Sequence, residues 1–422
     1  MKRRARHGGA GLLLVALFLL AVLGSITAIG MSASATGAER NRITERALAQ
    51  AREALLAYGA ERAISREVGP GYLPCPDTDD DGWAEATCGS LSGQLGQAER
   101  LGRLPWKTLG LPDLRDGYGE RLWYAVSTRQ KGLLNCAASR ECREMTPANA
   151  LGTISVRDSS GTLLHDGRLA DAARAADGGA LAVVIAPGPM LTRADGREQR
   201  RDCAPGECDV LGRCLTTPPQ RAARCDPANY LDVARAGRAE DNAAFVDRSD
   251  TAGRALNGDG FIQGPVVSPL GDVEVNDRLA VVAYSDLMPR VMARVALELA
   301  HCLREHAGAL PQPQPECDSG PFIGRIGADA LDASTCNASA DDPAWWPAWS
   351  PYVLYAVAGP AGLDVADASG RTLAANRRFA VLASSVPGQC APERVACGSS
   401  GCTRVSTKPR DRYHPDALVS IP

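Results

Sequence analysis

Hydrophobic and polar positions change their rhythm several times along the chain. From Leu12 to Met31 there is no charge at all. About twenty residues rising 1.5 Å each cover a hydrocarbon core of roughly 30 Å, so this run predicts a membrane-spanning helix. From Ala38 to Ala63 the run gives way to an amphipathic pattern. Ile43, Ala47, Ala51, Ala54, Leu55 and Tyr58 recur at steps of three and four with Glu and Arg between them. The two stretches together predict one helix from about Ala10 to Ala63, roughly 80 Å long. The alternative is an anchor followed by a separate short helix.

A second amphipathic helix is predicted from Asp286 to His306. Val291, Val295 and Leu299 share one face, with Met292 and Leu303 beside them. Ser285 or Asp286 is the expected cap, and Pro289 fits only a first turn. After each helix the rhythm shortens to that of strands, and the order repeats. Leu122–Val126, Ile154–Gly161 and Ala182–Gly188 form one series. Val353–Val357, Leu363–Gly370 and Ala380–Gly388 form the other. Val275 to Ala283 reads as a further strand closing the first unit. Each unit is therefore expected to be a helix laid on the apolar face of a small antiparallel sheet. The fold class is α+β. The expected divisions are a leader and span over 1–37, one module over 38–283 and a similar module over 284–422.

Charge adds little to this picture. Lys and Arg total 46 against 49 Asp and Glu, a formal net charge of -3, which offers no basic surface for nucleic acid. Cysteine adds more. Fourteen cysteines in short-range groups behind an export signal predict disulfides in an oxidising compartment. Cys75 with Cys88 and Cys136 with Cys142 each enclose a short turn-rich loop and are the expected pairs. Lys2, Arg3, Arg4 and Arg6 precede the hydrophobic run. That flank should stay cytoplasmic, which sends the rest of the chain into the periplasm on a single pass through a bacterial inner membrane. Ala33-Ser34-Ala35 also offers the small-x-small pattern of a cleaved signal.

Arg6-His7-Gly8-Gly9 followed by Ala10-Gly11-Leu12-Leu13-Leu14-Val15 resembles the leader of the type IV pilin and pseudopilin superfamily. The resemblance implies cleavage by a prepilin peptidase after Gly9, or after Gly8, leaving Ala10 as the first mature residue. It implies a pilin-like helix on a sheet, other pilin or pseudopilin subunits as partners, and work in a type IV pilus or type II secretion machine. Family members usually carry an aromatic residue first and glutamate fifth; here those positions are Ala10 and Leu14. That departure argues against a main polymer subunit and fits a minor or tip subunit, or a membrane protein that borrowed the fold. The passage Asp116-Gly117-Tyr118-Gly119 before Leu122–Val126 is similar to the turn by which pilin-like chains enter their sheet.

One segment carries candidate chemistry. Asp77-Thr78-Asp79-Asp80-Asp81-Gly82-Trp83-Ala84-Glu85 places carboxylates at alternate positions, with Gly82 for the sharp turn, like the start of a calcium loop. Asp77, Asp79, Asp81, the Trp83 carbonyl and Glu85 are the expected ligands of a calcium ion. The twelfth position is Cys88, where a complete loop has glutamate. The alternative is a solvated acidic turn. No nucleophile elbow, phosphate loop or zinc-protease signature occurs, so no enzyme is expected. A different class of function is a membrane-anchored periplasmic binding or adhesion protein. Its surface would be the Cys203–Cys225 loop or the tryptophans Trp345, Trp346 and Trp349, which read first as a packed entry to the second sheet.

Overall fold

A computed structural model describes residues 35–62, 70–86, 88, 100–127, 145–148, 150, 152–167, 178–193, 195–199, 201, 227–234, 242–245, 260–305, 313–315, 323–326, 346–367, 369–384, 395–398, 401–406 and 416–421. The hydrophobic run Leu12–Met31 lies outside them. Among the described residues no helix is long and apolar enough to cross a membrane.

Helix α1 covers residues 35–57. Thr44, Ala47, Leu48, Ala51, Leu55 and Leu56 are buried, the stripe that spacings of three and four produce. Ile43 was expected on that stripe but is exposed, because the turns over 35–43 stand clear of the sheet. The helix ends in a looser turn at Tyr58–Arg62. There Gly59 is pressed against the Leu287 side chain and the Tyr72 carbonyl, and its own carbonyl accepts the Gly71 N–H.

Nine strands follow: β1 Leu101–Arg103, β2 Trp123–Val126, β3 Val156–Arg157, β4 Leu163–His165, β5 Ala182–Ala186, β6 Phe261–Ile262, β7 Val266–Val267, β8 Val273–Val275 and β9 Arg278–Val282. Helix α2 then runs Tyr284–Glu305. After it come β10 Gln314–Pro315, β11 Ile323–Arg325, β12 Val353–Val357, β13 Leu363–Ala366, β14 Thr372–Arg377, β15 Phe379–Ser384, β16 Val395–Gly398, β17 Gly401–Ser406 and β18 Asp416–Ile421. The protein is α+β, with several antiparallel sheets and few helices.

The two main sheets are antiparallel, in the orders β1-β2-β5-β9 and β10-β11-β12-β15-β18. The repeat read in the sequence holds to the register. Gly102 pairs with Tyr124 and Gly324 with Tyr355. Tyr124 then pairs with Val184, and Tyr355 with Val381. The side sheets correspond too: β3 pairs antiparallel with β4 and parallel with β6, as β13 does with β14 and β17.

Even the turns match. Asp158 Oδ1 accepts the N–H groups of Ser160 and Thr162; Asp367 Oδ1 accepts those of Ser369 and Arg371. Gly161 and Gly370 follow at φ 85° and 87°. Each is a turn closed by a left-handed residue, which favours glycine.

Alternation decides which face of the first sheet meets which neighbour. Tyr124, Val126, Ala182 and Val184 face the helices. Trp123, Ala125, Val183 and Ile185 face a second core with Tyr230, Leu231, Phe245 and Phe261. The sequence predicted one covered face. Both are covered, because the polar-looking stretch after residue 226 delivers four bulky apolar side chains to the far side.

The first core joins both units. Leu48 and Leu55 of α1, Leu287, Val291 and Val295 of α2, and Tyr355 and Val381 of the second sheet belong to one cluster. Ion pairs run along its rim: Arg52 to Asp286 at 2.7 Å, Arg278 to Glu45 at 2.8 Å and Arg290 to Glu53 at 2.5 Å. They are partly exposed, so register is their main contribution. Helix α2 starts two residues earlier than predicted. The Ala283 N–H is capped by Asp286 Oδ2 at 3.0 Å, the reach-back half of a capping box. Pro289 therefore sits in the second turn.

Candidate metal centre

The acidic loop is built from its two ends. The Cys75–Cys88 disulfide closes it, and both cysteines are buried. Next to it, Asp77 and Arg103 exchange backbone hydrogen bonds of 3.0 and 2.7 Å, which tie the loop to β1. Gly102 makes this approach possible, since a Cβ there would lie 2.5 Å from the Asp77 carbonyl oxygen.

Within the loop, Asp77 is buried. Its Oδ2 accepts the Gly82 N–H at 2.7 Å and its Oδ1 the Asp81 N–H at 3.3 Å. Gly82 has φ 88°, and a Cβ there would meet the Trp106 ring at 2.7 Å. Its carbonyl accepts the Lys107 N–H at 2.9 Å. The loop is thereby folded over its own carboxylate.

Carboxylate oxygens of Asp77, Asp79 and Glu85 all come within 4.8 Å of one another. Two oxygens on opposite sides of a calcium ion stand about 4.8 Å apart, since each bond is about 2.4 Å. The spacing suits a single ion, with water completing the six to eight ligands calcium takes. Glu85 is held from the other side, where its Oε1 accepts the Thr78 N–H at 3.2 Å.

The other expected ligands are placed differently. Asp81 is outside this trio. Its Oδ1 accepts the Trp83 N–H at 2.7 Å, and its carbonyl accepts the Lys107 ammonium. Trp83 is exposed, with the Lys107 ammonium 6.0 Å from its ring centroid. Asp80 adopts φ 62° and turns its carboxylate to Arg121, at 2.8 Å.

Four aspartates on one short loop perturb one another. Burial pushes the Asp77 carboxyl from 3.8 up to about 8; the Gly82 N–H opposes this, and the charges of Asp80, Asp81 and Asp79 add to it. Burial also raises Asp81, against the Trp83 N–H. A divalent cation would relieve both effects at once.

The sequence reading missed Lys107, Arg103 and Arg121, the cations around this loop. A signal for Lys107 existed: it is one of only four lysines in the chain. The arginines gave none, being lost among many. Of the remaining expected residues, Gly9, Ala10, Cys136 and Cys142 lie outside the described residues. So do Trp345 and the Cys203–Cys225 loop. Trp346 and Trp349 are buried, Trp349 stacking edge-on to Tyr352, so these two rings form a packed sheet entry and offer no platform. Cys302 and Cys402 are each disulfide-bonded.

Comparison with family models, with curated proteins and with solved structures finds no match for this chain.

Proposed function

We propose that this chain is a minor pilin- or pseudopilin-like component of a type IV pilus or type II secretion machine, working by protein–protein assembly. The observation that carries this reading is the form of α1. Its turns over 35–43 are largely exposed and touch the body through Arg40 at the Gly117-Tyr118 turn, while Ala47, Leu48, Ala51 and Leu55 lie in the core against an antiparallel sheet. The apolar run ends at Met31, and residue 35, the first one described, is already helical. An apolar run of membrane-spanning length followed by a sheet-bound amphipathic helix suits lateral packing with other such chains in a bilayer.

In this reading Leu12–Met31 holds the chain in the inner membrane and both sheets stand in the periplasm. A prepilin peptidase would cut between Gly9 and Ala10. The acidic loop would take calcium through Asp77, Asp79 and Glu85 and stiffen the approach to β1.

Leader processing is the test. Co-expression with a prepilin peptidase should shorten the chain to a start at Ala10, read by intact mass. Gly9 replaced by a bulky residue should block the cut. The same mature mass for both chains would sink the reading.

A further inference from the structure

Between the acidic loop and the β1–β2 pair lies a cavity of about 10 Å³. Asp80, Arg103, Asp113 and Arg121 line it, and the rest of its wall is apolar, from Trp106 and three leucines. Arg103 is the most buried of the four charged residues, only 4 % exposed. Its guanidinium lies 4.2 Å from the ring centroid of Trp123 and 4.3 Å from that of Tyr230. Its Nη1 donates to the Arg121 carbonyl at 3.0 Å. Its Nε is buried and, among the described residues, makes no hydrogen bond. Asp80 Oδ1 stands 4.0 Å from it, too far for a direct bond. Asp113 Oδ1 is a second buried atom that accepts no hydrogen bond. Arg121 Nε is 3.0 Å from it but donates instead to Oδ2, at 3.2 Å.

A buried donor and a buried acceptor left without bonds are costly, because each has given up water on folding. The cavity itself says what completes them. Its volume is close to the roughly 10–15 Å³ that a single water needs. Its charges cancel, since two guanidinium groups face two carboxylates. An anion would meet Asp80 and Asp113, and a cation would meet Arg103 and Arg121. The two atoms also need opposite things: Arg103 Nε needs an acceptor and Asp113 Oδ1 needs a donor. Water supplies both from one small molecule, whereas chloride has no proton to give and ammonium no lone pair. The 4.0 Å from Arg103 Nε to Asp80 Oδ1 is a separation that one water bridges. The Asp80 carboxylate can accept that bond while it pairs with Arg121 at 2.8 Å.

We propose that this cavity binds one ordered water, which accepts from Arg103 Nε and donates to Asp80 Oδ1 and Asp113 Oδ1. Three partners are what a buried water typically has. The site joins the acidic loop, β1 and the approach to β2, and so adds a tie to the Asp77–Arg103 backbone pair and the Arg121–Asp80 ion pair. It holds Asp80 at φ 62° with its carboxylate on the arginines. It also serves Arg103, where burial works against the charge and Asp80, Tyr230 and Glu120 work for it.

The test uses the full chain in detergent, with two readouts. The first is a crystal structure at a resolution that shows ordered water, grown in bromide. Expected is one peak about 2.7–3.2 Å from Arg103 Nε and in hydrogen-bond reach of Asp80 Oδ1 or Asp113 Oδ1, with no anomalous signal. No peak, or Arg103 Nε bonded directly to either carboxylate, overturns the proposal. An anomalous bromide peak in the cavity overturns it too, because the occupant would be an anion. The second readout is nuclear magnetic resonance of the nitrogen-labelled chain, with the Arg103 Nε–H assigned by its loss in Arg103→Lys. Cross-relaxation with water should have opposite sign in the laboratory and rotating frames, as for a water that stays bound. No cross-peak overturns the site, and so does the same sign in both frames, which marks proton exchange with solvent.

Discussion

At the scale of single residues, glycines and aspartates decide the loop geometry. Gly117 is the clearest case. A Cβ there would lie 2.1 Å from the Arg40 carbonyl oxygen, and its N–H donates to Thr44 Oγ1 at 2.9 Å. Arg40 also stacks over the Tyr118 ring at 5.1 Å. The Gly-Tyr-Gly turn thus grips α1 where the helix leaves the body. Gly117→Ala should destabilise the protein by roughly 1–3 kcal/mol through overpacking against backbone, read by denaturant unfolding. A change within error would mean the turn is not seated on the helix. Asp79 is the residue that separates an ion site from an acidic turn. Calcium at a hundredfold excess over its dissociation constant should stabilise the fold by about 2.7 kcal/mol. Asp79→Ala should abolish the rise in melting temperature without unfolding the chain. Equal melting in calcium and in chelator would reduce the trio to a turn. Asp77 sets the pH dependence in chelator. Its carboxyl rises from 3.8 unfolded to about 8 folded, so the native state binds the extra proton between those values. Its contribution to stability is full below pH 4 and is lost as pH rises through 8. Melting temperature should therefore fall from pH 5 to pH 8 in chelator, and less so for Asp77→Asn. A slope unchanged by that substitution would show that another group governs it.

Among elements, the disulfide and the paired helices carry distinct loads. Cys75 and Cys88 are 13 residues apart. Closing a loop of that length restricts the unfolded chain by about 3 kcal/mol on the chain-entropy model. The double Ser variant should lose stability of that order, and calcium should then raise its melting temperature less, because the loop must be ordered by the ion alone. An unchanged unfolding midpoint in the Ser variant would show that the bond adds nothing to the loop. The helices are joined differently. The buried stripes of α1 and α2 meet in one core, and their rim ion pairs are weak because solvent screens them. Truncation of a shared core leucine such as Leu55 is in the range of 2–5 kcal/mol, far above any single rim pair.

For the whole molecule the consequence is cooperativity. The sequence reading divides the chain after Ala283, between β9 and α2, yet one core crosses that point. Thermal unfolding of the disulfide-bonded protein should be one transition by calorimetry and by circular dichroism alike. Two separated transitions would show that the units fold on their own and only touch.

Much of the architecture was legible because periodicity reports local geometry. The α+β class, both amphipathic helices, the strand triplets and their repetition all follow from apolar spacings of three to four or of two, and from Asp-x-x-Gly turns. The same local chemistry marked the acidic loop and its bracketing cysteines. Contacts that join distant positions leave no such spacing. Nothing in the order of residues says that Tyr230 and Phe245 cover the far face of β2, that α1 and α2 share a core, or that Lys107 and Arg121 close around the acidic loop. Those outcomes depend on which apolar faces remain bare once the elements have formed, and only packing in three dimensions settles that.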